Sequence, residues 1–192
     1  MILPTYYLQT TISGLKKHYE RIADSVDIPL IVYHFPEATN VLLSPEDILE
    51  LSEIDNIIGV KNTASMQHTS KLINITKEKE NFNVLTGYEH LILPVLTSGG
   101  KGSIGIVHNI VPGKLLEIYN SIELEDFTRA REINESLKKL YDLMEEEPCP
   151  GPVKEALNMK GLPAGSPRSP INSASKKMRE KLKNELKKSD LL

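Results

Sequence analysis

Short apolar segments alternate with segments of helical periodicity from residue 12 to about residue 122, and this alternation constrains the fold more than any other feature. The apolar segments are IPLIVYHF at 28–35, NIIGVK at 56–61, FNVLTG at 82–87 and GSIGIV at 102–107. Each is predicted to be a β-strand buried on both faces, because its apolar residues are continuous rather than alternating. Strands separated by helices indicate parallel βαβ units, so the predicted fold class is α/β.

The same pattern fits two architectures, a doubly wound sheet and a (β/α) barrel. No G-x-G-x-x-G motif follows any of the strands, which disfavours a dinucleotide-binding sheet. In a barrel the chemistry lies at the carboxyl ends of the strands. Polar residues do gather there, because Tyr33 and Lys61 end the first two predicted strands, and the segments GYE at 87–89 and HN at 108–109 follow the third and fourth.

Helices are predicted between the strands and throughout the rest of the chain. The clearest start signal is Ser44, with Pro45 at the first helical position and Asp47 completing a capping box. The predicted helices lie at 12–25, 44–54, 65–79, 88–98, 112–122, 124–147, 152–160 and 173–188, and FPEATN at 35–40 is predicted to be a turn. The last helix carries an apolar stripe, which predicts that it packs on its own domain. We therefore expect an α/β domain over 1–122 and a helical extension over 123–192.

Composition excludes several classes of protein. The chain has 192 residues, 40% of them hydrophobic, and a formal net charge of -3, so it can bury a core but lacks the basic excess of a nucleic-acid-binding protein. Its single cysteine, Cys149, cannot form an internal disulfide. No apolar run is long enough to cross a bilayer, and the start MILPTYYLQTT has no secretion signal. A single cysteine suits a reducing cytoplasm, where we expect the protein to be. The five histidines lack metal-ligand spacing, so we predict no metal site.

Lys61 is the residue that most directly suggests an enzyme. It closes the apolar segment IIGVK, where a lysine must either reach water or be held uncharged. A neutral lysine amine can attack a ketone and form a Schiff base, and a tyrosine hydroxyl such as that of Tyr33 can move the protons. Ile57, Ile58 and Val60 are expected to keep water from the amine. From the pattern alone, a structural lysine that reaches solvent fits equally well.

Several motifs in a fixed order carry a resemblance to a known family. YHFP at 33–36 is similar to a Y-N-x-P motif, and GVK at 59–61 is similar to a G-[IV]-K motif. Four further segments fit the same order, namely PTYY at 4–7, LTGYE at 85–89, GKGSI at 100–104 and EPCPGPVK at 147–154. Together they resemble the dihydrodipicolinate synthase / N-acetylneuraminate lyase family of class I Schiff-base aldolases, over nearly the whole chain up to about residue 170.

The resemblance implies a fold, a mechanism and a set of site residues. The fold would be a partial TIM (β/α)8 barrel, its C-terminal half with about four strands, followed by a C-terminal helical extension. Lys61 would bind the keto carbon of pyruvate without any other cofactor, and Tyr33 would shuttle protons and hold the carboxylate. Tyr7 would match a tyrosine that reaches into a neighbouring subunit, which implies a homo-oligomer, a dimer or tetramer. Gly87 and Ile104 would line the pocket.

The chain also departs from the family pattern. It begins at the family's fourth strand, so we expect either a truncated chain or a half-barrel that pairs with another, and no aldolase turnover from residues 1–192 alone. A non-catalytic half-barrel subunit is one alternative. In the segment YHFPEATN, Ala38 replaces the arginine that clamps aspartate semialdehyde in the synthases. With Thr39, it makes 2-keto-3-deoxy sugar acids the first substrate reading, with 4-hydroxy-tetrahydrodipicolinate synthase as the alternative.

Overall fold

The computed structural model describes residues 1–8 and 10–192. They form two compact units, Met1–Ile104 and Gly105–Leu192. The predicted division between residues 122 and 123 was based on where the predicted strands and their helices end, whereas the compact units meet between Ile104 and Gly105. The predicted domain boundary stays a prediction. Among the described residues, no helix is both long and apolar enough to span a bilayer.

The first unit is built around a parallel sheet. Its strands are β1 (Leu30–His34), β2 (Ile57–Asn62), β3 (Asn83–Thr86) and β4 (Gly102–Ser103), and its helices are α1 (Ile12–Ala23), α2 (Pro36–Thr39), α3 (Pro45–Leu51), α4 (Met66–Thr76) and α5 (Ile92–Thr97), with a 3-10 turn at Glu89–Leu91. The strands pair in the order β1-β2-β3-β4, and all are parallel. The predicted α/β fold with a parallel sheet is therefore confirmed. The order contains no reversal of the kind that defines a doubly wound sheet.

Two predicted elements differ from the structure. β4 contains only Gly102 and Ser103 instead of residues 102–107, because the chain turns into a 3-10 helix at Val107–Asn109 soon after. The segment predicted to be a turn after β1 is the single-turn helix α2. Proline at its start fixes a helical φ, and Asn40 ends it in the left-handed region at a φ of 54°.

The two faces of the sheet differ in burial. Val32, Val60 and Val84 lie side by side in register and belong to a hydrophobic cluster with buried residues of α1, α3 and α4. The capping box predicted for α3 is confirmed, since the Ser44 side chain accepts from the Asp47 amide and the Asp47 carboxylate accepts from the Ser44 amide. Because side chains alternate along a strand, residues one step away from the valines face the opposite side, which is less buried.

The second unit consists of helices. They are α6 (Pro112–Glu123), α7 (Phe127–Glu145), α8 (Gly151–Met159) and α9 (Lys176–Lys188). The predicted apolar stripe of α9 is buried, with Met178, Leu182 and Leu186 each no more than 2% exposed. Arg179 on this helix is bonded to Glu155 of α8 at 2.9 Å. The terminal helix therefore packs on its own unit, as predicted.

Candidate active site

Lys61 and Tyr33 lie together at the carboxyl ends of adjacent strands. They are register partners in the β1–β2 pair, so their side chains leave the same face of the sheet. The Lys61 amine lies over the Tyr33 ring, with Nζ 4.0 Å from the ring centroid. Both residues are half-buried. The structure thus brings the predicted nucleophile and the predicted proton carrier into direct contact.

The apolar surroundings predicted for Lys61 are different in the structure. Val60 points to the helix-covered face with Val32 and Val84, so it cannot keep water from an amine on the other face. The tyrosine ring takes this place, because it covers one side of the amine. The expectation that the neighbours in sequence shield the lysine was therefore wrong for Val60. The shielding group comes from the neighbouring strand.

Gly87 is held against Lys61 so closely that no side chain would fit. Its amide donates to the carbonyl of Asn62 at 3.0 Å. A Cβ added at this position would lie 1.9 Å from Thr63 Oγ1 and 3.0 Å from Lys61 Cε. The predicted lining residue is therefore next to Thr63 and the Lys61 side chain, and glycine is required there for close approach rather than for an unusual φ.

Thr63 also lies beside Gly87 and Lys61, although it was not among the predicted residues. Its side chain is 4% exposed, and its hydroxyl has no hydrogen-bond partner within residues 1–8 and 10–192. An unpaired buried hydroxyl is costly unless something else completes its hydrogen bonds. Thr63 stands two positions after Lys61, and the period of a strand places such residues on one face. That spacing was the signal that could have identified it.

Ile104 follows the same backbone pattern at the last strand. Its amide donates to the carbonyl of Thr86 at 2.9 Å, just as the amide of Thr63 donates to that of His34 at 2.8 Å. The Gly87 amide makes the same kind of bond to Asn62. At the ends of β1, β2 and β3, the last carbonyl therefore accepts from an amide just beyond the following strand. The residues just beyond these strands therefore form one continuous rim, to which Ile104 belongs; its role in lining the pocket stays a prediction.

The remaining predicted site residues are not gathered around the amine by any contact that the structure describes. Tyr7 is 90% exposed, and Ala38 is exposed on α2. The Thr39 hydroxyl donates to the Phe35 carbonyl at 2.9 Å and accepts from the Val41 amide at 3.3 Å, so it serves the end of α2. Their roles stay predictions.

A second polar cluster lies behind the site, on the helix-covered face. His34 Nδ1 is 2.7 Å from Asn62 Oδ1, and Asn62 Nδ2 reaches His68 Nδ1 at 3.2 Å and Thr69 Oγ1 at 2.9 Å. His34 Nε2 accepts from the Leu43 amide at 3.2 Å, and His68 Nε2 is 2.8 Å from the Leu43 carbonyl. Burial lowers the pKa of His34 below its ordinary value; the bond to Asn62 opposes this shift and nearby His68 adds to it.

Comparison with known proteins gives matches over nearly the whole chain. Residues 1–189 match the model of the dihydrodipicolinate synthetase family. A 4-hydroxy-tetrahydrodipicolinate synthase from Archaeoglobus fulgidus is 37% identical over 193 residues, and one from Methanospirillum hungatei is 39% identical over 191 residues. These matches cover 100% and 99% of this chain, but the chain spans only 66% and 65% of the length of the two relatives.

The fold of this chain is also similar to that of a solved structure. It is the chloride-inhibited dihydrodipicolinate synthase from Acinetobacter baumannii complexed with pyruvate, which is 30% identical to this chain with a TM-score of 0.91. The superposition covers 99% of this chain and 65% of that one. The fold described above therefore matches the corresponding part of that synthase.

Proposed function

Since this chain belongs to the dihydrodipicolinate synthetase family, we propose that it carries the Schiff-base site of a pyruvate-dependent enzyme of the 4-hydroxy-tetrahydrodipicolinate synthase type. The family is one of class I aldolases and lyases. The observation that carries the proposal is the Lys61 amine over the Tyr33 ring, at the carboxyl end of two parallel strands. The pyruvate bound to the Acinetobacter baumannii relative supports the same substrate here.

The proposed reaction begins with attack of Lys61 Nζ on the C2 carbonyl of pyruvate. The resulting carbinolamine loses water and becomes an iminium, which withdraws electrons from C3. A proton then leaves C3, and the enamine that forms attacks the carbonyl carbon of an aldehyde, whose oxygen takes up a proton. Hydrolysis of the iminium, or ring closure by an amine of the product, returns Lys61 to its free form. Lys61 supplies the covalent chemistry, so no separate cofactor is needed.

Tyr33 is the group placed to move these protons. Its ring lies under the amine, so its hydroxyl is carried on the same strand end and the same face as the reacting carbon. A positioned acid or base contributes typically about 10²–10⁴-fold to a rate. The Gly87 backbone lies close to the lysine side chain, because a Cβ at Gly87 would be 3.0 Å from Lys61 Cε. The pyruvate carboxylate would lie among these groups.

The aldehyde partner is best assigned from the relatives. The curated proteins that match most of this chain, at 37% and 39% identity, are named 4-hydroxy-tetrahydrodipicolinate synthase. They favour that activity, with aspartate semialdehyde as the aldehyde, over the aldolase activity on 2-keto-3-deoxy sugar acids that was predicted from Ala38 and Thr39. The synthase activity is therefore our first proposal, and the sugar-acid aldolase is the second.

One observation keeps the second candidate, an aldolase of 2-keto-3-deoxy sugar acids. The buried hydroxyl of Thr63 has no partner among the described residues and lies beside Lys61, across from Gly87. A hydroxylated substrate would supply the missing hydrogen bond. Ala38, which stands in place of a carboxylate-binding arginine, adds to this reading. A rate comparison between aspartate semialdehyde and a keto-deoxy sugar acid decides between the two.

Fold completion, assembly and location are proposed on the same grounds. The four strands run in sequential order, as in one half of a (β/α)8 barrel, which has eight. We propose that the sheet is completed to a barrel in the active protein, and that the active protein is a cytoplasmic homo-oligomer. Tyr7, 90% exposed, is then free to enter a neighbouring subunit.

The proposal is tested by trapping the covalent intermediate. The chain, and a chimera that adds the part of the Archaeoglobus fulgidus relative outside the match, are incubated with pyruvate and borohydride, and the labelled peptide is identified by mass spectrometry. We expect the chimera to carry one reduced pyruvate on Lys61. Lys61→Arg should abolish it, whereas Lys71→Arg, at an exposed ion pair with Glu46, should not. If neither protein carries an adduct, the Schiff-base mechanism is refuted and a non-catalytic subunit is supported.

A further inference from the structure

The residues directly after Tyr33 and Lys61 form the cluster behind the site. His34 and Asn62 are register partners, as Tyr33 and Lys61 are, but their side chains point to the opposite face. Both are fully buried, with 0% exposure, and bonded to each other at 2.7 Å. Each strand therefore places a reactive residue on one face and a hydrogen-bonding residue on the other in consecutive positions.

The hydrogen bonds fix the positions of the protons in this cluster. The Leu43 amide can only donate, so His34 Nε2 accepts from it and the ring proton lies on Nδ1, which donates to Asn62 Oδ1. The Leu43 carbonyl can only accept, so His68 carries its proton on Nε2. Asn62 Nδ2 then donates one hydrogen to His68 Nδ1 and the other to Thr69 Oγ1. Every one of these bonds is satisfied when both imidazoles are neutral.

Together these bonds form a closed ring, Leu43–His34–Asn62–His68–Leu43, which we call the rear ring. It ties β1, β2 and α4 to the segment before α3. A proton added to His34 Nε2 would face the Leu43 amide, and a proton added to His68 Nδ1 would face the Asn62 amide. Either protonation replaces a hydrogen bond by a repulsive donor–donor contact. The rear ring is therefore complete only in its neutral form.

The rear ring is placed where the alignment of the two strands needs to be fixed. The β1–β2 register shifts between Leu30 and Ile31, and regular pairing continues from there to His34 and Asn62. A slip by one residue would exchange the two faces and remove Lys61 from Tyr33. The side-chain bond between His34 and Asn62 specifies the register at the end of the strands, where the chemistry lies.

We propose that His34, Asn62 and His68 are positioning residues that hold Lys61 over Tyr33, and that this hold is released when His34 takes up a proton. The proposal rests on the proposed function for its catalytic meaning, but its geometric part does not depend on turnover. Its consequence for the enzyme is an acid limb in the pH profile of Schiff-base formation. That limb would arise from residues that do not touch the substrate.

Charged residues of α3 and α4 neighbour the rear ring. On α3, Asp47 is bonded to Ser44, and Glu46 is paired with Lys71 of α4 at 2.7 Å. The pKa of Glu46 is lowered mainly by the bond from Lys71, and His68 contributes to it. Burial, the largest cause, lowers the pKa of His34 below its ordinary value, so His34 stays neutral at neutral pH and takes up a proton only in more acidic solution than an ordinary histidine.

The geometric part is tested by NMR on the whole chain without any substrate. Reductive methylation with 13C-formaldehyde labels the lysines, and the Lys61 signal is assigned by its absence in Lys61→Arg. A methyl group over an aromatic ring is shifted upfield, and Tyr33→Leu identifies how much of the shift comes from that ring. We expect the upfield shift of the wild-type protein at pH 8 to disappear as the pH falls below about 6.5.

Two variants test whether the loss of the Lys61 shift at acid pH comes from protonation of the rear ring. Glutamine has the same donor and acceptor pair as a neutral imidazole but does not titrate in this range, so His34→Gln/His68→Gln should keep the Lys61 shift at acid pH. Asn62→Leu should lose it at every pH, because the bonds to both histidines are gone. His18→Gln, on α1 outside the rear ring, is the matched control and should behave like the wild type.

An unchanged Lys61 shift in Asn62→Leu would overturn the proposal. If that variant fails to fold, the comparison of the glutamine double variant with the wild type decides, since equal pH dependence in both would overturn it. In the borohydride assay, loss of the aligned geometry should slow trapping on the order of 10²-fold. If the wild-type chain shows the ring-current effect but neither it nor the chimera carries an adduct, the proposed function is refuted and the positioning role stands.

Discussion

Gly87→Ala is the substitution whose effect follows most directly from the geometry of the site. The new Cβ would lie 1.9 Å from Thr63 Oγ1, 2.9 Å from Thr63 Cβ and 3.0 Å from Lys61 Cε. The lysine can move its flexible end, but the threonine is 4% exposed and follows directly on β2. Overpacking of this kind costs about 1–3 kcal/mol. The strand ends must separate, and Lys61 then leaves its place over Tyr33.

Two measurements detect this change. The free energy of unfolding in urea should fall by about 1–3 kcal/mol, and the rate of borohydride trapping should fall on the order of 10²-fold, since a displacement of about 1 Å is enough for that. Gly113→Ala is the matched control, because a Cβ there meets nothing within 4 Å. Thr63→Ala added to Gly87→Ala should restore part of the loss, because it removes the closest atom. Wild-type stability and trapping in Gly87→Ala would refute the close contact.

Two further predictions concern the proton carrier and the rear ring. Tyr33→Phe keeps a ring beneath the amine but removes the hydroxyl, so the adduct on Lys61 should still form, while exchange of pyruvate C3 protons with deuterated water should slow by about 10²–10⁴-fold; exchange at the wild-type rate would exclude Tyr33 as the proton carrier. Because the folded-state pKa of His34 lies below its ordinary value of about 6.5, its neutral form stabilises the protein fully above that pH, and this stability is lost as the pH falls through the lowered pKa. The urea midpoint should therefore drop on acidification more in the wild type than in His34→Gln, and equal slopes would contradict the assignment.

Most of the fold and the pair at its centre could be predicted from the sequence. Strands joined by helices must be parallel, and neighbours in sequence are usually neighbours in a sheet, so Tyr33 and Lys61 were expected side by side. The capping box at Ser44 could also be predicted, because it depends only on residues within one helical turn. What the pattern did not give is the face on which each strand residue lies, and Val60 was placed on the wrong side of Lys61 for that reason.

The rear ring could not have been predicted from any local pattern. Its histidines, His34 and His68, lie on a strand and on a helix, and Leu43 takes part only through its backbone. None of these positions has a spacing that indicates contact, because the bonds depend on how α4 packs on the sheet. Thr63 is different, since its distance of two residues from Lys61 was visible, and only the lack of a partner for its hydroxyl required the structure.

The period of a β-strand explains why positions beside the reactive residues are sensitive. Consecutive residues point to opposite faces, so each strand end offers one side chain for chemistry and the next for anchoring. Thr86 follows the same rule on β3. It is fully buried, and its hydroxyl accepts from the Tyr88 amide at 3.1 Å and donates to the Tyr88 carbonyl at 3.2 Å. These bonds fix the turn that carries Gly87, so the third strand also positions the site from behind.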